Sequence, residues 1–107
     1  MGVKIEDLRR ACLQRHVLMT KHVQIRCEER RISIFDIRNC IMHGKIIRQY
    51  EDDKPYPSFL LLGIDIGEKF LHVVASYNDG YAHIVTAYHP DSETWNEDFT
   101  KKIGAEK

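Results

Sequence analysis

The sequence predicts an α+β fold in which N-terminal helices pack on one face of a four-stranded antiparallel sheet. Helical hydrophobic spacing extends as far as Gly44, and runs of β-branched and aromatic residues follow it. The links between these runs are shorter than the crossover of a dozen or more residues that parallel strands need. A chain of 107 residues is expected to form one domain, which we divide into an N-terminal helix (1–15), an α+β domain (16–90) and a polar tail (91–107).

Three helices are predicted before Gly44. The first begins at Ile5 and has acidic residues in its first turn, which complement the helix dipole. The second covers about residues 21 to 31, and the hydroxyl of Thr20 can cap it. Ser33 and Asp36 resemble a capping box that starts the third helix, and Gly44 ends it.

Four strands are predicted after Gly44, separated by residues that favour turns. Their expected bounds are 45–51, 58–66, 70–77 and 81–89. A three-residue loop at 78–80 would set the register of the last hairpin and place His72 opposite Thr86, on the same face as Tyr88. In the tail, Trp95 and Phe99 are the large apolar residues; we expect part of it to dock on the domain and the last residues to fray.

Composition limits the function classes. No apolar run approaches the roughly eighteen residues of a membrane helix, and the N-terminus lacks the apolar stretch of a signal peptide. Cys12, Cys27 and Cys40 suit a reducing compartment better than a disulfide framework. We therefore expect a cytoplasmic protein without a membrane partner.

The zero net charge hides an asymmetry between the two halves of the chain. The first 50 residues carry eleven Lys/Arg and five Asp/Glu, and the remaining residues carry five and eleven. A basic helical half can face a polyanion, but a solvated charged face is equally consistent with these counts.

The second helix carries four ionisable residues on one stripe. His22, Arg26, Glu29 and Arg30 follow helical spacing, so they share one face. Such groups are costly to bury unpaired and usually lie at a surface or a site. Ion pairs within the helix explain the same spacing without any ligand, so both interpretations stay open.

The order and spacing of several short motifs resemble a known family. The stripe from His22 to Arg30, the helix that ends at Gly44, and the strand motifs at 71–74 and 84–88 are similar to the bacterial domain of unknown function 4258, over about residues 16 to 90. This resemblance implies a fold similar to the RelE and ParE type toxins and the barnase-like ribonucleases. It also implies a cognate antitoxin as partner, with a zinc-finger domain in some systems, and RNA or the ribosome as target.

The chemistry that fits these residues is metal-independent phosphodiester transfer, with no cofactor. Imidazoles would move protons and guanidiniums would stabilise charge on the phosphoryl oxygens. The candidate catalytic residues are His22, Arg26, Glu29, Arg30 and His72, and the candidate substrate-binding residues are Thr86 and Tyr88.

Other interpretations remain for the same residues. His72 also suits a hydrogen-bonded sheet histidine, and Tyr88 a cross-strand aromatic pair. Cys40 and His43 have the spacing of a metal-ligand pair, but no second pair accompanies them. A non-catalytic protein-binding module of the same fold is the alternative function, and a family member that neither cuts nor binds RNA is a third.

Overall fold

The computed structural model describes residues 4–96 and 98–101 and has three helices and five strands within them. The sheet order is β1-β5-β4-β3-β2; β1 runs parallel to β5 and the other neighbours are antiparallel. No helix within these ranges is long and apolar enough to cross a membrane. In chain order the elements are α1 (Ile5–Leu13), β1 (Val17–Met19), α2 (Lys21–Glu29), α3 (Ile34–His43), β2 (Lys45–Tyr50), β3 (Ser58–Ile64), β4 (Phe70–Asn78) and β5 (Tyr81–Tyr88).

The predicted four-stranded antiparallel sheet is wrong, because the sheet has five strands and is mixed. The additional strand, β1, is only three residues long and lies between two helices, so it lacks the alternation that identifies a strand. It pairs with β5 through the bond from the Ala82 N–H to the His16 carbonyl, at 2.8 Å. Most of the chain separates these two strands, which satisfies the long connection that parallel pairing requires.

The predicted helix starts are confirmed. Thr20 caps α2 by accepting a hydrogen bond from the Val23 N–H at 3.2 Å. Ser33 and Asp36 form the expected capping box at α3, and Asp36 also accepts from the Ile66 N–H at 3.0 Å. Asp36 therefore ties the start of α3 to the turn between β3 and β4.

The three helices cover one face of the sheet and form a single core with it. Alternate residues of β3 and β4 point to this face, as strand geometry requires. The helices contribute Leu8, Ala11, Cys12, Val23, Cys27, Ile37, Cys40 and Ile41, and the strands contribute Phe59, Leu61, Leu71, Val73, Ala75, Ala82, Ile84 and Ala87.

The predicted register of the last hairpin is also wrong. Its turn has two residues, Asp79 and Gly80, both at positive φ (54° and 83°), which is the geometry of a tight hairpin turn. The register then shifts at Val85, which has no partner in β4. This bulge is not signalled by the local sequence, because Val85 continues an ordinary strand pattern.

As a result, His72 lies opposite Tyr88 and not opposite Thr86, which pairs with Val74. The three side chains at 72, 86 and 88 still share one face of the sheet, because partners and alternate residues point the same way. That face is the one opposite the helices, since the residues on either side of His72, Leu71 and Val73, are in the helix-side core.

The tail docks on the face that the helices leave uncovered. Trp95 is 4% exposed and its ring meets the imidazole of His72 edge-on, with the centroids 4.4 Å apart. Phe99 packs on Phe70 at 4.9 Å. The expected docking of part of the tail is therefore confirmed at Trp95 and Phe99, whereas the last residues, 102–107, for which fraying was expected, lie outside the described residues.

Candidate functional site

A polar pocket lies between α2 and the second half of β5. Because β1 pairs only with residues 82–84, the outer edge of β5 beyond Ile84 has no strand beside it. Helix α2 follows β1 directly and lies along this edge. The resulting pocket has a volume of about 260 Å³ and is lined by His22, Val23, Arg26, Cys27, Arg30, Val85, Thr86 and Ala87.

Arg30 connects the helix to the strand edge. Its Nη1 donates to the Ala87 carbonyl at 2.9 Å and is 3.4 Å from the hydroxyl oxygen of Thr86. The first bond satisfies a backbone acceptor that would otherwise face the open edge. Within the described ranges no carboxylate lies within ion-pair distance of Arg30. Its guanidinium is therefore held in place while its charge stays uncompensated.

Arg26 and Glu29 form the ion pair that the sequence spacing allows, but it is weak. The Arg26 Nη1 and the Glu29 Oε1 are 3.9 Å apart, and the two side chains are 53% and 61% exposed. Exposed pairs of this kind contribute at most about 1 kcal/mol to stability. Glu29 stands outside the pocket lining, so its contact with the site is through Arg26.

His22 completes the pocket from the first turns of α2. It is exposed and lies one helical turn before Arg26, on the same ridge. The pocket lining includes His22, two arginines and no carboxylate. This charge pattern favours an anion with oxygen acceptors, such as a phosphate group, because guanidiniums bind such oxygens with forked hydrogen bonds.

His72 is in a different environment and does not line this pocket. It is fully buried under the tail, where Nε2 lies 2.9 Å from the Phe99 carbonyl and Nδ1 lies 3.2 Å from the Tyr88 hydroxyl. A carbonyl can only accept, so Nε2 carries the proton and Nδ1 accepts from Tyr88. Burial lowers the pKa of His72, although the bond to Phe99 works in the opposite direction. The imidazole therefore holds the tail on the sheet in its neutral form.

Tyr88 is half-buried and belongs to the same cluster. Its hydroxyl is bonded to His72, and the two rings meet edge-on with their centroids 5.3 Å apart. Burial, and secondarily the nearby Tyr50, raises the pKa of Tyr88. The structure thus brings His22, Arg26, Arg30 and Thr86 together, leaves Glu29 beside them, and separates His72 and Tyr88 from them.

The sequence interpretation missed a second polar cluster, at the end of β3. Asp65 is 8% exposed; it accepts from the Lys69 N–H at 2.9 Å and pairs with His89 Nε2 at 3.0 Å. Burial by itself would raise the pKa of Asp65, but these hydrogen bonds outweigh it and lower the pKa. An aspartate two residues before Gly67 was a signal for a closed turn, but its pairing with His89 depends on the tertiary fold.

Across residues 4–96 and 98–101 no cluster of three or more His, Cys, Asp or Glu side chains could hold a metal ion. Cys40 instead packs in the core, 3.5 Å from the Leu71 carbonyl, and burial raises the pKa of its thiol to about 12. His43 is exposed at the end of α3.

The fold and pocket define a small α+β protein with a basic pocket at the edge of its sheet. A family model, Domain of unknown function (DUF4258), matches residues 19–89 and thus covers all the pocket residues. The chain belongs to this family, as the sequence motifs indicated. No curated protein and no solved structure matches it.

Proposed function

We propose that the protein is a toxin-like endoribonuclease of a type II toxin-antitoxin system, with the pocket between α2 and β5 as its active site. The observation that carries the proposal is the convergence of His22, Arg26 and Arg30 on one small pocket whose lining has no carboxylate. A phosphodiester needs cationic donors for its oxygens and a nearby group that exchanges protons near neutral pH, and these residues supply both.

The reaction is an internal phosphoryl transfer. The ribose 2′-hydroxyl gives its proton to His22, and its oxygen attacks the adjacent phosphorus. The bond from phosphorus to the 5′ oxygen breaks, and water protonates the departing oxygen. The products are a 2′,3′-cyclic phosphate and a 5′-hydroxyl. No redox step or additional reactant is needed.

The remaining residues bind and position the substrate. Arg26 and Arg30 stabilise the charge that grows on the phosphoryl oxygens, and Glu29 orients Arg26. The hydroxyl of Thr86, beside Arg30, is available to the ribose or the phosphate. His72 and Tyr88 have no part in this chemistry, because their polar atoms are bonded to each other and His72 is also bonded to the tail.

RNA would approach from the helical side. All the arginines of the chain lie in its first half, whereas the second half carries an excess of acidic residues. A basic helical face attracts the phosphate backbone, and the acidic half repels it, so the charge distribution orients the RNA toward α2. By family resemblance, the neutralising partner is an antitoxin, with a zinc-finger domain in some systems.

The experiment uses total RNA in the presence of a chelator. The parent protein should produce fragments with cyclic phosphate ends, and His22→Ala should lower the cleavage rate by about 10²-fold or more, the usual contribution of a general base. His43→Ala is the matched control, because His43 is also an exposed helical histidine but lies outside the pocket. It should cut like the parent.

The second candidate is a non-catalytic protein-binding module, favoured by the exposed apolar side chains Leu13 and Phe35, which are 68% and 62% exposed. Absence of cleavage at every pH, with ribosomes present, would favour this candidate. Cleavage that His22→Ala leaves unchanged would also contradict the proposed active site.

A further inference from the structure

The free edge of β1 has the features of a docking site for another strand. β1 pairs with β5 on one side only and is an outer strand of the sheet. Natural edge strands are usually protected by charged residues or proline, but the three residues Val17, Leu18 and Met19 are all apolar. Shortness is therefore the main protection of this edge.

The backbone polarity of β1 can be derived from its pairing. His16 accepts from the Ala82 N–H, and the register places Val17 beside Ala82, so the bonds to β5 use residues 16 and 18. In a parallel pair, alternate residues of a strand direct both their backbone N–H and their backbone C=O away from the partner strand. The backbone polar groups of Val17 and Met19 therefore point to the free edge, where the Met19 carbonyl is bonded to the Gln24 side chain at 3.0 Å.

Two apolar-lined cavities lie next to this edge and meet at Val17 and Ile34, which line both. The first, of about 400 Å³, continues past Met19 and Ile32 toward Glu28 at the C-terminal end of α2. The second, of about 360 Å³, is bounded by Phe35 and two arginines. Side chains of an added strand that point to the helical side would enter these cavities.

The two cavities together form a groove along β1, and its two ends differ in charge. Arg15 and Arg38 line one cavity, and among the described residues neither has a carboxylate within ion-pair distance. Glu28 lines the far end. An occupant that carries acidic residues at the arginine end and apolar residues along Val17 would match both the charge and the shape of the groove.

From these features we infer that the β1 edge binds an extended segment of a partner protein by strand addition, with apolar residues in the two cavities and acidic residues against Arg15 and Arg38. Backbone hydrogen bonds to Val17 would align the segment, and the cavities would give it specificity. This inference does not rest on the proposed ribonuclease activity, because the groove lies on the other side of α2 from the basic pocket; Cys27 is common to their linings.

The test uses two capped peptides of about six residues with alternating valine and threonine. One peptide has two glutamates at its N-terminal end, and the other has them at its C-terminal end. Titration into the full-length protein, followed by amide NMR, should shift the signals of Val17 and Met19. A peptide with lysines in place of the glutamates should bind about tenfold more weakly. A peptide with a central proline, which lacks the donor and breaks the ladder, should not bind.

The protein variants separate charge from shape. Arg15→Glu, alone and with Arg38→Glu, should weaken the binding of the acidic peptide about tenfold and strengthen the binding of the lysine peptide. The amide spectrum of each free variant should still be that of a folded chain. Arg48→Glu, on the opposite edge strand β2, is the matched control and should bind like the parent. Equal binding of acidic and basic peptides, or no shift at Val17, would overturn the inference. Self-association through Val17 would overturn it in favour of a second copy of the chain.

Discussion

The buried imidazole of His72 leads to a prediction about the pH dependence of stability. His72→Phe keeps a ring beside Trp95 but removes both hydrogen bonds of the imidazole. The Phe99 carbonyl and the Tyr88 hydroxyl then lose their partner, at a cost of about 1 kcal/mol each, since the half-buried hydroxyl can turn to water. At pH 8 we expect the free energy of unfolding to fall by about 2 kcal/mol.

The difference in the free energy of unfolding between the parent and His72→Phe should become smaller at acidic pH. Burial lowers the pKa of His72 in the folded protein below the ordinary value of 6.5, so below that pH the unfolded chain binds a proton that the folded chain does not. The parent protein therefore loses up to about 1.4 kcal/mol per pH unit between those two pKa values, and the variant lacks this loss. Asp65, whose pKa is also lowered, adds acid sensitivity at lower pH, but it is present in both proteins and cancels in the difference.

Denaturant titrations between pH 8 and pH 5 would measure this effect, followed by circular dichroism and by the fluorescence of Trp95, the single tryptophan. His43→Phe is the control, because His43 is exposed and should leave the pH slope of the parent intact. A stability difference that stays constant from pH 8 to pH 5 would refute the assignment of His72 as a neutral anchor of the tail.

Two further predictions concern the packing of α3 and are measured by thermal unfolding. Gly63→Ala should cost about 2 kcal/mol, because the added Cβ would lie 2.9 Å from the Cα, carbonyl oxygen and Sγ of Cys40. Gly67→Ala is its control and should cost less, because beyond its two chain neighbours the nearest atom to the added Cβ would be the Asp65 Oδ1, at 3.4 Å. Asp36→Ala should cost about 2 kcal/mol, because it removes the capping box and leaves the Ile66 N–H without its acceptor; a loss below 0.5 kcal/mol would contradict this role.

Local signals were sufficient for most elements of the fold. Thr20, the Ser33 capping box and Gly44 are short-range features, and each lies at a helix boundary in the structure. The strand β1 could not be predicted in this way, because three apolar residues become a strand only through pairing with β5, far along the chain. The bulge at Val85 likewise has no signal in the local sequence, and it shifted the register of every pair beyond it.

In the candidate site, too, the sequence predicted the positions that local spacing decides but not those that depend on the tertiary fold. Helical spacing was enough to place His22, Arg26 and Arg30 on one ridge, and the structure brings that ridge to the β5 edge. The spacing of strand residues put His72 and Thr86 on one face, but it could not say which face the helices cover. The face that the helices cover is decided by the packing of the whole core. His72 lies on the other face, where the tail covers it, and therefore not in the pocket.

Helix stability explains only part of the basic ridge of α2. Arg26 lies in the last turn of the helix and Arg30 at its C-cap, where the helix dipole stabilises positive charge by about 0.3–1 kcal/mol, and this offsets the repulsion of a few tenths of a kcal/mol between like charges four residues apart. The exposed pair with Glu29, at 3.9 Å, adds little to this, and Arg30 uses its hydrogen bonds on β5 instead. The dipole accounts for positive charge at this end of the helix but not for its place in a pocket against a strand edge. A ridge that lies against this edge and has no carboxylate in its pocket fits an anionic ligand better than ion pairing within the helix.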